Sequence, residues 1–306
     1  MPTGVPSSAA IDTAVPRVDR LGRERFRTEY LVPRRPVVMT GIMTDSPALA
    51  WTPAYLRARF PDVKLTLADG AALSVADYVD AIERPDLDFA SAPSIFRFGF
   101  VAEVFPELAG KFVIPDHFQP NWFDSRLLRP FVPKLWRKWV EILIGPRGGR
   151  FPSVHYDRQS TFAWSFQVHG TKTFWIWPPS YDRPETDFIV KVDVRSNDWN
   201  ERLDGLFSHA KPLKTTLRSG DLMFIPPRWW HTTEIGDTSV TLSGNFLNEV
   251  NWADWCRSTR AIARDAAARK RFFDGPFDTL RMVAATAPFI PHAMRRSLGA
   301  NGAARA

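Results

Sequence analysis

The amino-acid sequence predicts an α+β protein with a mainly β core and helices at both ends of the chain. From Glu141 to Phe246, short apolar segments rich in β-branched and aromatic residues alternate with turns marked by Gly, Pro and Asp. Before and after that stretch, apolar residues recur at helical spacing. The 306 residues include 12 Trp and 23 Phe, enough large apolar side chains to fill a substantial core.

The opening segment TGVPSSAAIDTAVP lacks large apolar groups that would anchor it, so residues 1–16 are expected to form a flexible tail, with order starting near Val18. Arg23 to Leu31 reads as a short helix, and RRPVVMTG as a β-branched strand closed by Gly41. SPALAWTPAYLRARFP reads as helical up to Pro61, KLTLADG alternates as a strand, and Ser74 caps a helix that runs to Glu83. Ser94 to Phe100 alternates again, with Phe96, Phe98 and Phe100 on one face and Arg97 on the other. The β core then follows as EILIG, FPSVHYD, STFAWSFQVHG and TKTFWIW, with HGT predicted to form a hairpin turn between the last two. Further strands are expected at Lys191 to Val194, Lys214 to Leu217, Leu222 to Ile225, His231 to Ile235 and Ser239 to Phe246. Trp252 to about Phe273 and Phe277 to Leu298 return to helical spacing, broken at GPF.

Composition narrows the chemistry. A single cysteine, Cys256, excludes an intramolecular disulfide framework and any Cys-rich metal site built from one chain, so a metal must be held by His and carboxylates. The formal charge of +7 comes mostly from scattered Arg rather than a clustered basic helix, which disfavours a nucleic-acid partner. Without a signal-like or membrane-length apolar run, a cytoplasmic protein with no membrane association is expected.

Two of the six His occupy suggestive positions. In VHYD, His155 and Asp157 share one face of a strand, so an imidazole and a carboxylate can meet the same ion. In SGDLMFIPPRWWH, a Gly-Asp turn, an apolar strand and a Pro turn bring His231 back beside the preceding strands. A His-x-Asp triplet arises readily by chance and decides nothing alone. Joined by a second His, it matches the set that leaves open positions on a non-haem Fe(II). Lys172 shares its parity with Phe174 and Ile176, so it either snorkels to solvent or faces a buried anion.

These blocks, in this order, resemble the cupin-fold, JmjC-like Fe(II)/2-oxoglutarate oxygenases, especially the branch of the asparaginyl hydroxylase that inhibits hypoxia-inducible factor. The resemblance runs from RRPVVMTG through FPELAGKFVIP and the VHYD region to SGDLMFIPPRWWHTTEIGDTSVTLSGNF. It implies a double-stranded β-helix of the cupin or jelly-roll type over residues 17–250. It further implies Fe(II) on His155, Asp157 and His231, and 2-oxoglutarate gripped by Lys172 with help from Thr161 and Asn245. The implied reaction hydroxylates a C–H bond of a protein, peptide or small-molecule substrate and releases succinate and CO₂. Arg158, Gln159 and Trp230 are candidate substrate contacts, and residues 251–300 a helical region through which a homodimer can form. Two departures stand out: Pro152 replaces the hydroxyl residue found three positions before the first metal His, leaving Ser153 on the opposite strand face, and IFRFGF lacks the Tyr that holds the distal carboxylate, for which Arg97 is a substitute. A metal-binding cupin without 2-oxoglutarate, and a pseudo-enzyme, are the competing readings.

Overall fold

The computed structural model describes residues 14–67, 69–89, 97–126, 128, 140–179, 189–191, 211–265, 283, 284 and 286, with Arg97 and Phe98 described through their backbone. Its strands are β1 (Arg17–Asp19), β2 (Val37–Thr40), β3 (Lys64–Thr66), β4 (Ala72–Ser74), β5 (Arg97–Phe100), β6 (Glu141–Gly145), β7 (Ser153–His155), β8 (Phe162–Trp177), β9 (Ile189–Lys191), β10 (Leu213–Arg218), β11 (Leu222–Ile225) and β12 (Trp230–Phe246). The helices are α1 (Arg23–Phe26, prolonged by a π-turn to Leu31), α2 (Pro53–Arg59), α3 (Val75–Ile82), α4 (Val101–Val104) and α5 (Trp252–Arg264).

The N-terminal helices start where their caps dictate. Thr52 Oγ1 accepts from the Tyr55 amide and Pro53 opens α2, so the single helical stretch expected from Ser46 to Pro61 is split: Pro47–Ala50 form only a 3₁₀ turn. Ser74 Oγ accepts from the Asp77 amide at 3.0 Å and caps α3. The buried face of α3, Val75, Tyr78, Val79 and Ile82, packs on the sheet, and the Tyr78 hydroxyl donates to the Ile144 carbonyl of β6 at 2.8 Å. Residues just before Val18 are already tied to the sheet. Ala14 bridges Lys214, Val15 is buried, and the Pro16 carbonyl accepts from the Val38 amide.

Among the described residues ten strands form one sheet, in the order β1-β2-β11-β8-β12-β6-β5, with β10 on β8, β7 on β12 and β9 on β7. The β8–β12 pair is its spine. Their C-terminal and N-terminal halves respectively, Thr171–Trp177 and Trp230–Asp237, pair with each other and with β10 and β7, whereas the other halves pair with β11 and β6. Each long strand thus serves two sets of neighbours, as a jelly-roll requires. The predicted hairpin at HGT is therefore corrected: the chain continues through it as one strand of 16 residues. Likewise His231 to Ile235 and Ser239 to Phe246 are parts of one strand of 17 residues.

Gly170 makes this continuity possible. It sits at φ 72°, opposite register shifts between Ile235 and Thr241, and a Cβ there would lie 2.1 Å from the Thr238 carbonyl oxygen. Neither the left-handed backbone nor the close approach admits a side chain. Gly170→Ala is expected to destabilise the protein by about 2–4 kcal/mol, read as a lower urea midpoint.

The main core lies between the N-terminal helices and the sheet, where Phe26, Phe118, Phe162, Phe224 and Phe246 interlock. Two smaller clusters back β8: Val154, Tyr156, Trp175, Trp177 and Trp230, and a second built on Val38, Phe174, Ile176 and Leu217. α5 packs through Trp252, Trp255 and the fully buried Ile262. The expected helix beyond Arg264 lies largely outside the described residues, as do residues 1–13 of the expected tail and Ser94 to Phe96. No helix among the described residues is long and apolar enough to cross a membrane.

Candidate metal centre

β7 and β12 meet at one register pair, His155 opposite His231, which sets the two imidazoles 4.4 Å apart between ring centroids. Immediately after β7 the extended chain swings Asp157 to the same point, so that one ligand atom from each of the three side chains lies within 4.8 Å of the others. Among the described residues no second group of His, Cys, Asp and Glu converges in this way. Two imidazoles and one carboxylate are the donor set of a non-haem iron site with open positions.

The surroundings suit neutral, oriented ligands. Burial, followed by the neighbouring charge of His231, holds the His155 pKa well below the usual imidazole range, so a ring nitrogen is unprotonated at neutral pH. The Phe151 ring covers His155 at 4.7 Å. His231 Nδ1 lies 3.0 Å from the Trp229 carbonyl, an anchor that assigns the proton to Nδ1 and leaves Nε2 as the donor to a metal.

All three residues open into one cavity of about 420 Å³. Lys172 lines it from β8, 2% exposed, on the face shared with Phe174 and Ile176. No carboxylate pairs with its ammonium among the described residues, and burial lowers its pKa to about 7. The polar wall facing it includes Thr161, Ser165, Thr233, Ser243 and Asn245.

Thr161 and Asn245 come together, but bonded to each other: Asn245 Nδ2 donates to Thr161 Oγ1 at 3.1 Å, and Thr161 Oγ1 donates to the Arg158 carbonyl at 3.0 Å. The hydroxyl proton expected for a co-substrate is thus engaged by the backbone. Arg158 and Gln159 both reach the cavity, and Gln159 Nε2 donates to Thr259 Oγ1 of α5 at 2.9 Å. Trp230 is a correction. It precedes His231 on β12, turns to the other face of the strand, is 1% exposed and packs edge-on against Tyr156 at 4.9 Å, away from the cavity lining. Ser153 is another. It lies two residues from His155 on β7, is buried and lines the cavity, so it shares the metal-facing side. The Arg97 side chain lies outside what is described.

Glu141 was not anticipated. It opens β6, lines the cavity, and its carboxyl is pushed up to about 7 by burial and then by the charge of Asp157, with Arg158 acting the other way. The available signal was a carboxylate at the head of the otherwise apolar EILIG strand.

A family model described as a cupin-like domain matches residues 23–251. The chain belongs to that cupin-like family. The cupin-like match reaches from α1 through β12 and stops at the residue before α5. Among curated proteins, the cupin-like chain is 25% identical over 257 residues to lysine-specific demethylase JMJ21 of Arabidopsis thaliana, covering 79% of this chain and 26% of that protein. It is 26% identical over 247 residues to arginine-specific demethylase JMJ22 of the same plant, covering 78% and 47%. With the human 2-oxoglutarate and iron-dependent oxygenase JMJD4 it shares 28% identity over 160 residues, 49% of this chain and 37% of that protein. The matched regions span about a quarter to a half of these relatives' lengths.

Proposed function

We propose that this protein is an Fe(II)- and 2-oxoglutarate-dependent oxygenase that hydroxylates a C–H bond of a protein or peptide side chain, releasing succinate and CO₂. The observation that carries the reading is a single cavity holding both the His155–Asp157–His231 group and a buried Lys172 with no anionic partner among the described residues. An unpaired buried ammonium costs stability and is retained where an anion completes it. The likeness to the human 2-oxoglutarate and iron-dependent oxygenase supports the same cofactors, and the likeness to lysine- and arginine-specific demethylases favours a protein side chain as substrate.

His155, Asp157 and His231 would hold the iron, which with 2-oxoglutarate and O₂ supplies the oxidising power. Lys172 would hold the far carboxylate of the co-substrate by a charge-assisted bond. The carbonyl of Trp229 fixes the His231 ring, and the Phe151 ring packs on His155. Arg158 and Gln159, which line the cavity, would orient the substrate backbone or side chain.

The test is iron-dependent conversion of 2-oxoglutarate to succinate by the purified chain, with and without a peptide library. Succinate release that is stimulated by peptides and lost in His231→Ala is the expected result. Stimulation by free amino acids alone would move the substrate to the small-molecule class. Stoichiometric iron binding without any succinate would instead mark a metal cupin that does not use 2-oxoglutarate.

A further inference from the structure

The turn that follows Asp157 is strained. Gln159 at φ 55° and Ser160 at φ 52° are consecutive non-glycine residues in the left-handed region, which side chains with a Cβ occupy only when their surroundings enforce it. The enforcing contacts reach it from α5 and its cap. Gln159 Nε2 donates to Thr259 Oγ1 at 2.9 Å, and Asn251 Nδ2 donates to the Ser160 carbonyl at 3.1 Å. Thr259 and Asn251 are fully buried, and Ser160 is 1% exposed. Asn251 is itself oriented, because its Oδ1 accepts from the Asn248 amide and its carbonyl accepts from the Trp255 amide. α5 is rigidly seated: Trp252 and Trp255 stack at 5.2 Å, against Trp122 and Phe123 respectively.

We propose that α5 is a positioning element of the metal centre, with Thr259 and Asn251 clamping the Gln159–Ser160 turn so that the Asp157 carboxylate stays within reach of His155 and His231. The inference rests on the metal site proposed above. It adds a helix lying beyond the family match, which ends at residue 251. The physical argument is short. A strained turn released from its clamp relaxes toward an extended path, and Asp157, two residues before Gln159 and at the cap of the turn, is the one ligand not held in a strand. Thr259 and Asn251 touch no reacting atom, so their effect is on ligand geometry.

The experiment is Co(II) titration of the metal-free 306-residue chain, followed by visible absorption, together with urea unfolding of the same metal-free samples. Thr259→Val, which keeps shape and removes the hydroxyl, is expected to weaken Co(II) binding about tenfold and alter the absorption band. Thr259→Ser, which keeps the hydroxyl, should stay within about twofold of the wild type, with metal-free unfolding midpoints alike for the two variants. Gln159→Met attacks the same bond from the cavity side. It should give the same loss, and the double variant should be no worse than either single one. Wild-type binding that is lost in His155→Ala but unchanged in both Thr259→Val and Gln159→Met overturns the clamp while leaving the metal site standing. No binding by the wild type, or binding unaffected by His155→Ala, removes the metal site and the clamp with it.

Discussion

Asp157→Ala is expected to lower Fe(II) affinity more than about 100-fold, beyond the 10–100-fold that loss of an outer partner costs, and to abolish succinate release. The two imidazoles that remain are both neutral ligands, so the site loses its only anionic donor along with one of three coordination points. Anaerobic titration with Fe(II) followed by 2-oxoglutarate reads both steps, through stoichiometry and through the weak visible charge-transfer band of a chelated keto acid. A second readout needs no metal. The Asp157 charge helps to push the Glu141 carboxyl up to about 7, so its removal should let the Glu141 pKa fall toward the ordinary carboxylate range, with burial keeping it above that range. Carbon-13 NMR of labelled glutamate follows that titration in the metal-free protein. A Glu141 pKa unchanged in Asp157→Ala would show that the two carboxyl groups do not share the cavity.

The parts of this site that were legible in the sequence are those fixed by local periodicity. His155 and Asp157 stand two apart, Lys172 shares parity with Phe174, and a Pro turn before His231 starts a strand at the right place. The parts that were not legible depend on partners far along the chain. HGT carries the signature of a hairpin, yet Gly170 keeps β8 running because β12, some seventy residues later, bulges to meet it. Ser153 was set on the wrong side because its position was judged against Pro152 rather than His155, whose parity it shares. Trp230 is adjacent to His231 on β12, and adjacency on a strand means opposite faces, so it packs on Tyr156 instead. Glu141 is not marked by its own segment, because the carboxylate that adds to the effect of its burial is Asp157, sixteen residues on and brought across by the pairing of β6 and β7 to the same long strand, β12. The Thr259 and Asn251 contacts were invisible for the same reason.

Lys172→Met is expected to act in opposite directions on stability and on co-substrate binding. Burial lowers the Lys172 pKa from 10.5 to about 7. Above pH 10.5 the amine is neutral in both folded and unfolded chains, and folding carries no proton cost. As the pH falls from there toward 7, the unfolded chain takes up a proton that the folded chain refuses, so the cost of folding grows, and below about 7 it stays constant. At about 1.4 kcal/mol for each pH unit, the full penalty is on the order of 5 kcal/mol. A Met of similar length removes it, so the metal-free variant should be the more stable protein at pH 7, by about 2–5 kcal/mol in urea unfolding, with the gain fading above pH 10. The same change should weaken 2-oxoglutarate binding to the iron-loaded protein about 10–100-fold, the loss of a charge-assisted bond inside a cavity. Co-substrate binding by the wild type should also take up a proton above pH 7, because a carboxylate beside Lys172 restores the ammonium; calorimetry in two buffers of different ionisation enthalpy measures that uptake. A lysine kept for packing alone would lose stability on replacement and take up no proton. Gain of stability with loss of binding is the signature of a group held in place for its ligand.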